Sequence, residues 1–102
     1  MAFFLWKKVN NDSNSIIFVK NMRVLRDIPH ELYKIQIFQY NEKYIVKIEL
    51  DQFEQTFKIG ELDVASLDEV EKMITDELLS NSLQRFVEMR KNWKTAFANR
   101  NN

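Results

Sequence analysis

The sequence predicts an α+β fold. The expected architecture is an antiparallel β-meander of four to five strands followed by two C-terminal α-helices, at least one of them packed on one sheet face. Three observations carry this expectation. Apolar residues alternate with a period of two across residues 32–59. Two polar dipeptides, Asn41-Glu42 and Asp51-Gln52, interrupt the alternation at hairpin spacing. After Gly60 the apolar period changes to that of a helix.

The alternation fixes a register. If Asn41-Glu42 is a two-residue loop, Phe38 faces Ile45, Ile37 faces Val46 and Ile35 faces Ile48. If Asp51-Gln52 is the next loop, Leu50 faces Phe53, Val46 faces Phe57 and Tyr44 faces Ile59. One face then gathers Tyr33, Ile35, Ile37, Tyr44, Val46, Ile48, Leu50, Phe53, Phe57 and Ile59. A slip of one residue would turn that whole set toward water, so register is strongly specified.

Upstream, residues 3–9 read as a first strand and residues 16–26 as a second. A turn is expected between them at Asn10-Asn11-Asp12-Ser13, and another after them at Asp27-Ile28-Pro29-His30. Downstream, Ser66-Leu67-Asp68-Glu69 has the spacing of a capping box. It opens a helix whose apolar stripe is Leu67, Val70, Ile74 and Leu78. Ser80-Asn81-Ser82 is expected to end that helix, because these side chains compete for backbone hydrogen bonds. A second helix is expected from about Leu83 to Ala98, with Phe86, Met89 and Trp93 on one stripe.

Composition bounds the function. The chain has 102 residues, 45 % apolar and 29 % charged, which indicates one domain with a packed core. It has no cysteine, which excludes disulfides, thiolate metal sites and a cysteine nucleophile and suits a cytoplasmic location. A single glycine rules out the glycine-rich phosphate-binding loops. The apolar run at residues 2–6 is too short for a signal-peptide core, and no membrane span is expected. Net charge is zero but blocked: +4 over residues 1–47, −8 over residues 48–82 and +4 over residues 83–102. Such blocks either polarise the surface or simply solvate ordinary helices and strands.

Catalytic constellations are sparse. His30 is the only histidine and sits beside Pro29, where an exposed turn residue is the plainer reading than a general base. Glu49 and Glu54 face each other in the inferred register. Two close carboxylates raise a pKa, yet Lys34 and Lys58 nearby make a surface charge ladder the simpler account. No cofactor, no metal site and no enzymatic activity are expected.

The second sheet face is the better lead. It carries Lys34, Phe38 and Tyr40 on one strand and Lys43, Ile45 and Lys47 on the next. Aromatics among lysines suit base stacking and phosphate neutralisation. The order of strands followed by a helix resembles the Whirly and PUR-type binders of single-stranded nucleic acid. That resemblance is one of topology, implies a nucleic-acid-binding sheet and transfers no individual residue. The same aromatics equally suit burial against another protein surface, and Trp93 on the last helix suits it too.

The sequence therefore favours a non-enzymatic protein-binding or assembly module, expected as a homodimer. Phe38, Tyr40, Ile45 and Trp93 are the contact candidates, and Lys34, Lys43 and Lys47 supply charge. Single-stranded nucleic-acid binding through the lysine and aromatic sheet face is the alternative.

Overall fold

The computed structural model describes residues 22–101. Residues 3–9 and 16–21, expected to contribute strands, lie outside the described residues. Within them the sheet has four antiparallel strands in the order of the chain: β1 (Arg23–Ile28), β2 (Lys34–Tyr40), β3 (Lys43–Leu50) and β4 (Phe53–Gly60). A short 3-10 turn (Glu61–Asp63) leads to α1 (Leu67–Lys72) and α2 (Asp76–Ala98). The fold is α+β, as the change of period indicates.

Both hairpins adopt the expected register. Phe38 faces Ile45, Ile37 faces Val46 and Ile35 faces Ile48. Leu50 faces Phe53, Val46 faces Phe57 and Tyr44 faces Ile59. Asn41 and Glu42 both take positive φ, 55° and 63°. This backbone twist matches that of the flanking strands, which is why two-residue hairpins select it.

The predicted apolar face is the core. Tyr33, Ile35, Ile37, Val46 and Ile48 are buried on the sheet, and Val70, Leu79 and Phe86 cover them from the two helices. Each such side chain contributes about 1.5–3 kcal/mol relative to exposure. Phe57, expected on this face, remains 38 % exposed. It lies beneath the Arg85 guanidinium, 5.9 Å from the ring centre.

The first strand departs from simple alternation. Val24 pairs with Phe38, but Arg26 pairs with Ile37, so the register shifts at Leu25. Directly opposed residues share a sheet face. The bulge therefore moves Arg26 to the core side, where Nη1 donates to Asp68 Oδ1 at 2.7 Å and Glu71 Oε1 at 2.6 Å. These pairs tie the edge strand to α1.

The helix break also differs from expectation. Ser80-Asn81-Ser82 lies inside α2, and the chain breaks instead at Met73-Ile74-Thr75. Thr75 caps α2 by accepting the Leu78 amide at 3.1 Å. Ser82 is fully buried, with its carbonyl accepting from Gln55 Nε2 at 2.9 Å and its Oγ accepting from Arg85 Nη2 at 3.2 Å. Packing against β4 outweighs the weak helix propensity of these residues. At α1, Ser66 Oγ accepts the Glu69 amide as expected, while Glu69 reaches back to the Ala65 amide rather than to that of Ser66.

Candidate functional site

Two surfaces hold the residues that the sequence singles out. The first is the sheet face opposite the core. Here the hairpin register places Phe38, Tyr40, Ile45 and Lys47 side by side, with Lys34 and Lys43 at the strand ends. Lys34 and Lys43 are exposed, and Phe38 and Tyr40 are half-buried.

The centre of this patch is closed. Ile45, expected as a contact residue, is only 3 % exposed and lies outside the core cluster. Lys47 keeps 18 % of its side-chain surface, with Nζ 5.1 Å from the centre of the Phe38 ring and 3.8 Å from Glu54 Oε2. Its charge is held by an aromatic face and a carboxylate rather than presented outward. Burial, with Glu49 opposite, pushes the Glu54 carboxyl above the ordinary range against the pull of Lys47.

His30 takes up backbone amides. Its Nδ1 accepts from Leu32 N at 3.0 Å and lies 3.3 Å from Tyr33 N, so the imidazole closes the turn between β1 and β2.

The second surface belongs to α2. Its buried residues are Leu79, Ser82 and Phe86, all in the N-terminal half. From Arg90 to residue 101 every residue is exposed. A helix of 23 residues is about 34 Å long, whereas the eight-residue strands beneath it reach about 26 Å. Arg90 pairs with Asp51 in the turn between β3 and β4, and the helix runs on past the sheet from there. Trp93, predicted as a contact residue, stands on this overhang at 59 % exposure, and Phe97 follows one turn later at 62 %. They continue the stripe that Leu79 and Phe86 bury against the sheet.

The structure adds residues that the sequence reading did not single out as site residues. Leu83 and Val87 are exposed, and together with Leu50 and Phe53 they wall a groove of about 380 Å³. Arg90, Lys91 and Lys94 rim it. A smaller pocket of about 250 Å³ opens between Phe57, Met73, Ile74 and Leu78. The available signal was the alternating three- and four-residue spacing of Ser80, Leu83, Val87, Arg90 and Lys94. The sheet-face candidates and Trp93 are thus two separate surfaces, one largely closed and one open. The chain matches no family model, no curated protein and no solved structure.

Proposed function

We propose that this protein is a non-enzymatic assembly module that self-associates through α2. The observation that carries this reading is the apolar stripe extending past the sheet, where Trp93 and Phe97 stand in solvent. Aromatic side chains gain the most from burial, and a contiguous exposed apolar patch marks an interaction surface. Lys91 and Lys94 supply a charged rim, beside an Arg90 that pairs with Asp51.

Replacing Trp93 and Phe97 together by lysine tests the reading. The variant is expected to lose self-association in sedimentation equilibrium while keeping its urea midpoint at low concentration, since neither side chain is buried in the monomer. Unchanged association would remove the overhang from the interface.

A second reading, single-stranded nucleic-acid binding, draws on the exposed Lys34 and Lys43 beside Tyr40. It predicts affinity for a single-stranded oligonucleotide that falls steeply with salt. The closed centre around Ile45 and Lys47 makes it the weaker of the two.

A further inference from the structure

The assembly reading leaves the geometry of the interface open, and the residue order along α2 specifies it. We propose that two copies pair their α2 helices antiparallel, in the register that sets Leu83 of each copy against Val87 of the other. This inference rests on the assembly reading and adds orientation and register to it.

The stripe in question flanks the buried one and meets it at Phe97. Positions 76, 80, 83, 87, 90, 94 and 97 are separated alternately by four and three residues, which keeps them on one side of a helix. All seven are exposed, and none takes part in the core. In an antiparallel pair, each position of this spacing meets the complementary one of the partner.

With Leu83 set against Val87, the rest of the stripe follows without further choice. Asp76 falls level with Lys94, and Ser80 with Arg90. Apolar residues thus meet apolar residues at the centre, and the carboxylate meets an ammonium toward each end. The groove walled by Leu50 and Phe53 runs beside the centre of the seam and adds apolar floor.

A parallel pair does the opposite. It sets Asp76 on Asp76 and Lys94 on Lys94, and like charges at facing positions repel. The antiparallel pair also places each helix dipole against its reverse. The contact is self-complementary about a two-fold axis, so it closes as a dimer and does not propagate.

The test uses charge reversal, mixing and cross-linking. Asp76→Lys and Lys94→Asp are each expected to weaken the dimer roughly tenfold, because each reversal puts two like-charged contacts into the symmetric interface. A one-to-one mixture of the two variants should recover wild-type affinity. That recovery separates interface charge from any effect of the Asp76 substitution on the start of the helix.

The chain lacks cysteine, so introduced thiols report only on themselves. Under mild oxidation a mixture of Leu83→Cys and Val87→Cys chains should form the cross-link, and each variant alone should form far less. A dimer whose affinity ignores the charge reversals, or one in which the Leu83→Cys chain alone cross-links efficiently to itself, overturns the antiparallel register and leaves self-association standing. A chain that stays monomeric in every arm overturns both.

Discussion

Glu54 and Asp68 respond to pH in opposite directions. The folded chain raises the Glu54 pKa through burial and through Glu49, so it holds that proton more tightly than the unfolded chain. This contribution to stability is complete below the unfolded pKa and is lost as pH rises through the folded one. Asp68 is held below the usual carboxylate range by Arg26. Its contribution is present above the unfolded pKa and is lost as pH falls through the folded one. Urea titration of two variants checks both signs. Glu54→Gln should gain on the wild type as pH rises from acid to neutral. Asp68→Asn should fall behind the wild type over the same range. At this scale the sequence was partly legible. The facing of Glu49 and Glu54 followed from the register, but the departure of Arg26 from alternation did not. A bulge inserts one residue without changing the residue types around it, so nothing in the chain marks Leu25 as the extra one.

At the scale of elements, the strands were more legible than the helices. Strand register follows from a period of two combined with one buried face, and any slip exposes the core. Asn41, a residue that tolerates positive φ, marked the first turn. Helix ends depend on tertiary packing instead. Ser80-Asn81-Ser82 reads as a break because its intrinsic propensity is poor, yet Ser82 is the residue that brings α2 close to β4. Its small side chain is fully buried, with Gln55 and Arg85 bonded around it. Ser82→Leu should therefore push the helix off the sheet and cost about 1–3 kcal/mol in urea unfolding. An unchanged midpoint would mean that the helix seat is not set by the size of this residue. Thr75 is of a residue type that caps helices, but Ile74 and Leu78 on either side continue an uninterrupted helical stripe, so the break there was not read from the sequence.

At the scale of the whole molecule, the decisive feature is a mismatch of lengths. A sequence shows which face of a helix is apolar, but not how much sheet lies beneath it. For that reason Trp93 was legible as a surface contact candidate, whereas the full extent of the overhang was not. The charge blocks acquire a location through the fold. Of the basic block after residue 83, Arg85 and Arg90 bond to Gln55 and Asp51 of the sheet while Lys91, Lys94 and Arg100 lie beyond it, and the acidic block includes α1 and the first turn of α2. In the proposed antiparallel pair, a second copy in reversed orientation brings these two regions together. The sheet-face patch fared differently: its positions were read correctly from the register, but burial of Ile45 and the engagement of Lys47 by Phe38 and Glu54 depend on three-dimensional packing. No helix among the described residues is long and apolar enough to cross a membrane, and in this account the apolar overhang finds its partner in another protein surface.

The most direct measurement is the mass of the intact chain by sedimentation equilibrium over a wide dilution series. The account predicts a mass that climbs from the monomer value of 12.3 kDa to twice that value and stops there. A mass fixed at that of one chain up to the highest concentration would contradict it.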